Sequence, residues 1–552
     1  MFKSVGFFAT PINVISTINY SHFQHNTMKI STVFLNIFLC FFGFQTYAQS
    51  RLYANTAFQL SDLTQSGTAR MQGLGGNQAA LGGDASNIFG NPAGLGFYNR
   101  SEFSLSPGLY LANKDATYIG NSTKDSKSNP NIGHFALVLA GEPRNNSDWR
   151  RTTLAISYSK QVNANTSLSY GGTNNRSSII DNITQLAGNV PTRTLDEDFI
   201  PRNNSALSVE SAFFNLYLID ALSDNGPYRR PVPLSRASFE QTGRSEVTGG
   251  SSQWTFAYAG NYLDKLYLGF SGGFSRHNYV RRNTLDERFV NGGAFQGLSY
   301  REDVNITGSG LFLSAGAIYR ANDFLQIGAS IHSPTWSALQ MTYEENVSVN
   351  VPSGRVPVFD VSGRPVTNAQ GQQAFDQLSF TSVRVEPFDF EYSMRTPFRA
   401  QGGITFFAGK KGFITASAEY VGFRGMSMSN VNDADFKTDN RSIVRSSFNN
   451  VVNLRAGGEL RLENFRVRVG GGYLQNPYNQ NFDVEGKLDR SKLYFSSGLG
   501  YRNDRFFVDL AGTFLTTKDA FAPYTLNNPA NYFAAQLKAT SISAVLSCGV
   551  FF

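Results

Sequence analysis

The chain ends on Ile542 to Phe552, which reads I-S-A-V-L-S-C-G-V-F-F. Counting back from the last residue, every second position is apolar: Phe552, Val550, Cys548, Leu546, Ala544 and Ile542. Ser543, Ser547 and Gly549 lie among the positions between. A period of two describes a strand with one apolar face and one small or polar face, and this one is long enough to cross a bilayer. A soluble sheet has no reason to end on an aromatic strand with nothing after it. A closed barrel does, because its terminal strand completes the sheet.

Composition agrees with a barrel. The 552 residues would suggest three or four soluble domains, but one closed sheet can absorb them. Mean hydropathy is −0.25, too polar for a bundle of membrane helices. Yet aromatic residues make up 14 %, with 47 Phe and 25 Tyr, and there are 52 Gly. Charged residues are only 16 %, against about 25 % in soluble domains. Alternating strands bounded by aromatic girdles have this composition. The net charge of +7 is spread out, with no basic run, so nucleic acid is not an expected partner. Of the two cysteines, Cys40 falls in a segment expected to be removed and Cys548 in the final strand. No disulfide and no cysteine-based metal site is expected, and no cofactor.

Met28-Lys29, the apolar run Ile30 to Phe44 and the small-residue exit at Ala48 have the layout of a secretory signal peptide. Residues 1–27 are then expected to precede the true initiator, Met28. No later stretch reaches about 18 apolar residues, so a membrane-embedded chain must cross as a closed barrel.

From about residue 100, period-2 segments recur. Phe103 and Leu105 alternate with Ser104 and Ser106, Trp254, Phe256 and Tyr258 with Thr255 and Ala257, and Leu266, Leu268 and Phe270 with Tyr267 and Gly269. The sequence predicts roughly 14 to 16 strands, an even number being expected. Tight turns are expected at Asn322-Asp323, Gly409 to Gly412, Glu463-Asn464 and Asn503-Asp504. Long polar loops are expected at 172–252, 276–308, 333–382, 421–450 and 475–491, facing outside. Within the first, Ser208 to Leu222 reads as a helix capped by Ser208, with Phe213, Leu216, Tyr217 and Ala221 on one stripe. That helix is either a cap packed on the rim or a candidate substrate-capture surface formed by Phe213, Leu216 and Tyr217. Packing is the favoured reading.

Ser66 to Leu95 is dense in Gly and Ala and ends in Asn91-Pro92-Ala93-Gly94. Small residues permit close backbone approach, as a plug in a narrow lumen needs. It is no phosphate cradle, because Gln78 stands where a third glycine belongs and no Gly-Lys-Ser/Thr follows. The pattern ARxxGxGG…ALxxDAS…NPAGL resembles the N-terminal hatch of the FadL/TodX family of hydrophobic-compound transporters. Arg70, Gly73, Gly75, Gly76, Leu81, Asp84, Ala85, Ser86, Asn91, Pro92, Ala93, Gly94 and Leu95 stand at matching positions. Ile331 to Trp336 and Met394 to Phe398 resemble the family's Ser/Thr-Pro segments, and the terminal phenylalanine agrees.

The resemblance implies an all-β transmembrane antiparallel barrel of 14 strands, plugged by a hatch spanning 49–100, with the barrel over 101–552. It also implies an outer-membrane location in a Gram-negative bacterium and passive uptake of hydrophobic compounds, long-chain fatty acids or similar, with lateral exit through the wall. Expected partners are outer-membrane lipids and lipopolysaccharide, a hydrophobic ligand and the barrel-assembly machinery, which would read Phe552, Val550 and Leu546 as its signal. A monomer is expected. Pro107, inside the first strand, is a candidate for the wall gap, with a simple bulge as the alternative. A second reading is a PorV-like barrel of the same fold acting as a docking or shuttle subunit of a secretion system. An enzyme is not expected. Only His134, His277 and His332 follow the leader, each read as solvated or girdle-bound rather than as the base of a nucleophile pair.

Overall fold

The computed structural model describes residues 45–143, 146–479 and 488–552, with side chains from Leu52 onward. The leader assigned to Met28–Ala48 lies outside them except for Gln45 to Ala48. These four residues open helix α1 (Gln45–Ser61). Among the described residues, no helix is long and apolar enough to cross a membrane.

The wall is a closed antiparallel barrel with 14 strand positions. In chain order its strands are β1 (Glu102–Tyr118), β2 (Asn121–Ala140), β3 (Trp149–Asn163), β4 (Thr166–Asn174), β5 (Ser238–Tyr262), β6 (Leu266–Val290) and β7 (Gly297–Arg320). There follow β8 (Leu325–His332), β9 (Trp336–Asn350), β10 (Ser382–Arg395), β11 (Arg399–Phe407), β12 (Gly412–Val421) and β13 (Ser427–Ser429). The circuit ends with β14 (Val451–Leu462), β15 (Phe465–Leu474), β16 (Lys492–Arg502), β17 (Phe506–Phe521) and β18 (Ala535–Phe551). β18 pairs with β1, from Glu102 opposite Phe551 to Thr117 opposite Gln536, and this closes the ring. Phe552, Val550, Leu546 and Cys548 all point outward, as the alternation in the last strand requires.

Four positions hold a strand in two pieces: β3/β4, β8/β9, β10/β11 and β12/β13. Two of these breaks are prolines at one level. Pro334 separates β8 from β9 and Pro397 separates β10 from β11, and neither can donate to the ladder. A side-chain stitch replaces it: Thr335 N donates to Thr396 Oγ1 at 2.8 Å and Thr396 N to Thr335 O at 3.1 Å.

The strands are unequal in height. β5 and β6 have 25 residues each, whereas about 9–11 tilted residues cross a bilayer. Outward positions of β6 are Leu266, Leu268, Phe270 and Phe274, then Arg276, Asn278 and Arg282. The apolar belt therefore ends near Phe274 and the strand continues beyond the membrane. This corrects the loops expected at 172–252, 276–308 and 333–382. β5 begins at Ser238, β6 and β7 run on to residues 290 and 297, and β9 occupies 336–350. Above the belt the outward residues turn polar, as at Arg276 and Asn278, while the inward face mixes His277 and Glu287 with Tyr279, Leu285 and Phe289, so the period-2 signal fades while the ladder persists.

Beyond the belt the mouth is covered. Helices α3 (Ile179–Ala187), α4 (Thr192–Glu197) and α5 (Val209–Asn215) pack with Phe239, Phe289, Val347 and Val383 of the tall walls, and with Tyr524 of the β17–β18 connection, in one buried cluster. α5 is shorter than the predicted helix. Ser208 caps it, accepting from Ser211 N at 3.3 Å, and Tyr217 leaves it with a φ of 56°. Phe213 and Leu216 are fully buried in the cluster, and Tyr217 packs against it half-buried.

Candidate functional site

Two different bodies fill the lumen. The lower one is the hatch, formed by α2 (Ala69–Gly73) and 3-10 turns at Ala85–Ile88 and Pro92–Phe97. Short polar residues start each turn: Thr68 accepts from Met71 N, Asp84 from Ser86 N, and Asn91 from Ala93 N, with Pro92 in the first position where its missing N–H is harmless. Asn91 also donates to Ala79 O at 2.6 Å, tying the hatch to itself. A Cβ on Gly94 would lie 2.4 Å from the Asn87 amide, so only glycine fits there. Gly75 and Gly76 turn the chain with φ of 72° each.

The strands meet this body with glycines of their own. A Cβ on Gly457 would fall 2.4 Å from Leu74 O, on Gly328 2.0 Å from Ala79 O, on Gly316 1.9 Å from Asn91 Oδ1, and on Gly269 2.3 Å from Pro92 C. At Gly457, Gly328 and Gly269 backbone packs on backbone, a proximity no other residue allows. Polar contacts complete the seat: Ala69 N donates to Ser547 Oγ at 2.7 Å, Ser417 Oγ to Asn77 Oδ1 at 2.7 Å, and Tyr494 Oη to Gly75 O at 2.8 Å. One buried ion network crosses from hatch to wall. Arg70 lies 3.6 Å from Asp84 and 3.4 Å from Glu459, and Arg468 joins Glu459 at 2.8 Å to Asp509 at 2.6 Å. Burial alone would raise the Asp84 carboxyl. The Arg70 guanidinium, with donors from Ser86 and Thr68, holds it below the ordinary range instead. Every hatch residue singled out in the sequence thus lies inside the barrel.

The histidine reading needs correction. His134 and His277 are fully buried, not solvated. His277 contacts Ser251, Ser275 and Ser337 hydroxyls at 2.8, 3.2 and 3.0 Å. His134 packs on the Phe89 ring of the hatch, and neither of its nitrogens finds a partner. Among the described residues no group of His, Cys, Asp and Glu could hold a metal.

The upper body is α1. Further along the same inward faces, beyond the hatch, the lumen becomes apolar: Tyr279, Val304, Ile306, Leu339, Met341, Tyr392, Met394 and Val451. Tyr53, Ala54, Ala57, Phe58 and Leu60 of α1 fill this chamber, and helix α6 (Ala434–Ser447) closes one side of it with Ile443 and Val444. Tyr53 meets Tyr392 and Phe436 edge to face at 5.3 and 4.9 Å, and Phe58 meets Phe423 and Phe448 at 5.3 and 5.1 Å. Neither α1 nor its chamber was picked out in the sequence. The signal was present as an i, i+4 stripe, Tyr53–Ala57 and Ala54–Phe58, hidden by its position directly after the leader.

The wall has a weak seam between β2 and β3/β4. β2 pairs with β3 only from His134 opposite Ser159 to Ala140 opposite Thr153, although β2 begins at Asn121. The lapse starts at the aromatic edge of the belt, where Trp254 contacts Phe135 and Tyr158. Beyond it β3 breaks at Ala164-Asn165, opposite Gly249 and Gly250 of β5, whose φ of 96° and 136° few other residues adopt. Side chains bridge the seam: Asn163 Nδ2 donates to Asn129 Oδ1 at 3.2 Å and Lys127 Nζ to Glu246 at 2.7 Å. At Pro107 the β1–β2 ladder shifts register and resumes at once with Pro107 opposite Ile132, and the β1–β18 ladder lapses at Ser106 and Pro107 before resuming with Gly108 opposite Val545.

The chain is similar to several solved structures. A FadL homologue of Pseudomonas aeruginosa is 13 % identical over 89 % of this chain and 99 % of that one, with a TM-score of 0.49. The Pseudomonas putida toluene transporter TodX is 13 % identical over 88 % and 98 %, with a TM-score of 0.47. The Ralstonia pickettii toluene transporter TbuX is 13 % identical over 90 % and 100 %, with a TM-score of 0.44. No family model and no curated protein matches the chain.

Proposed function

We propose that this outer-membrane β-barrel takes up hydrophobic compounds passively, through the apolar chamber above its hatch. The observation that carries the reading is the lumen itself. A water-filled pore is lined by polar side chains, whereas this one is lined by Ile306, Met341, Tyr392 and Met394. Apolar solutes gain free energy on leaving water for such a surface. The floor is sealed by the hatch, so a bound solute leaves through the side. The β2–β3/β4 seam is the proposed exit, because parting it breaks side-chain bridges and no backbone ladder. A solute entering the chamber displaces α1.

Whole-cell uptake of a radiolabelled long-chain fatty acid and of a monoaromatic hydrocarbon tests this. Deleting the protein should lower uptake of at least one. Asn129→Cys with Asn163→Cys, oxidised across the seam, should block uptake, and reduction should restore it. Unchanged uptake on deletion, together with stable co-purification of a secretion-system subunit, would instead support a docking role.

A further inference from the structure

At the short-turn end, the periplasmic side of such a barrel, three adjacent strands turn an arginine into the lumen beneath the hatch. These are Arg461 on β14, Arg466 on β15 and Arg502 on β16. Arg461 and Arg466 are direct cross-strand partners. Arg466 stands opposite Gly500, which has no side chain to fill the space, two residues before Arg502 on the same face. Like charges set opposite one another weaken a sheet.

The nearby carboxylates are already engaged. Glu459 accepts from Arg468 at 2.8 Å and Arg461 at 2.9 Å and lies 3.4 Å from Arg70. Asp509 accepts from Arg468 at 2.6 Å, and Asp84 lies 3.6 Å from Arg70. Glu102 accepts from Tyr98 at 3.1 Å and lies 4.0 Å from Arg502. Five guanidiniums, at 70, 461, 466, 468 and 502, thus share four carboxylates, at 84, 102, 459 and 509. Arg466 is the surplus. It donates to the carbonyls of Glu463 and Phe465 in its own turn, and no described carboxylate lies within ion-pair distance of it. Rings steady its neighbours: Arg461 lies 5.4 Å from the Phe413 ring, and Arg502 lies 4.9 and 5.1 Å from Phe507 and Phe551. The side chains of Arg461 and Arg502 are each 30 % exposed, so solute can reach them.

We propose that Arg461, Arg466 and Arg502 form a binding site for a small oxyanion, a carboxylate or a phosphate, at this mouth of the lumen. The planar fork of a guanidinium fits either group with two hydrogen bonds. An anion also relieves the opposition of Arg461 and Arg466. The site goes beyond the uptake reading and does not depend on it.

The test is calorimetric titration of the full chain in detergent, at low ionic strength, with inorganic phosphate and with acetate. At least one probe should give saturable binding. Arg466→Gln should weaken it about tenfold or more, as expected for a lost charge-assisted contact. Arg505→Gln, which removes the same charge from an exposed turn nearby, should leave it unchanged. The tighter probe identifies whether the natural anion carries a phosphate or a carboxylate. Without anion, the thermal midpoint of Arg466→Gln should be equal to or above that of the wild type. Absence of saturable binding, equal weakening by Arg466→Gln and Arg505→Gln, or a lowered midpoint would each overturn the proposal.

Discussion

The two flanks of the hatch are held to the wall in opposite ways. On the β6–β16 side, glycines of the strands touch the hatch backbone, with Gly457 and Gly328 against Leu74 and Ala79. On the β2–β5 side, Ala85, Ile88, Leu95 and Tyr98 of the hatch pack on Ala136, Val138, Ala155, Ala257 and Ala259 of the wall, and between these stand His134, Thr153, Ser157 and Thr255, buried polar groups with no hydrogen-bond partner in the protein. Close backbone packing admits one geometry. Unpartnered hydroxyls need water to satisfy them, and water tolerates several geometries. The second flank also adjoins the weak seam. The first flank therefore fixes the hatch by backbone contact, and the second by apolar side chains interrupted by polar ones.

The largest expected effect breaks the tight flank. Gly457→Leu puts a side chain where Leu74 O lies 2.4 Å from the would-be Cβ, so the hatch cannot seat. Planar-bilayer recordings should show an open conductance absent from the wild type. Arg70→Ala comes next. It leaves Glu459 and Asp84 buried without their shared partner and should loosen the hatch by about 3–5 kcal/mol. Limited proteolysis near residues 66–98 should report this. Asp84 has a lowered pKa, so its contribution is present above its unfolded value of 3.8 and is lost as pH falls through the folded one. The stability difference between wild type and Arg70→Ala should therefore begin to shrink only as pH falls below about 4.

Phe58→Ala separates the upper body from the lower. It removes a buried ring from the chamber and should weaken the seating of α1 by about 3–5 kcal/mol. Hatch protection should stay unchanged and the affinity for hydrophobic ligand should rise. The smallest effect is on the second flank. Thr255→Val removes a hydroxyl with no protein partner and should change thermal stability by less than about 1 kcal/mol.

Much of this was legible in the sequence where one side of a strand meets lipid and the other does not. Phe270 and Leu268 alternate with Ser271 and Gly269, and the strand could be read directly. Arg276 and Asn278 continue the same strand with a polar outward face, so the sequence reads as a loop there. The hatch was legible because tight turns restrict residue choice at Asp84, Asn91 and Gly94. The glycine seat was not, since Gly316 and Gly328 acquire meaning only when distant strands face Asn91 and Ala79. The seam was also missed. It arises from a lapse in pairing between two segments whose composition is ordinary, while Pro107 drew the suspicion instead.

On the proposed function, the chamber is a ligand site that α1 fills when no ligand is bound. The direct measurement is a crystal structure soaked with a brominated long-chain fatty acid, read by bromine anomalous scattering. Bromine among Tyr279, Ile306, Met341 and Tyr392, with α1 displaced, is the predicted result. Bromine confined to the outer wall, with Tyr53 and Phe58 still in place, would contradict it.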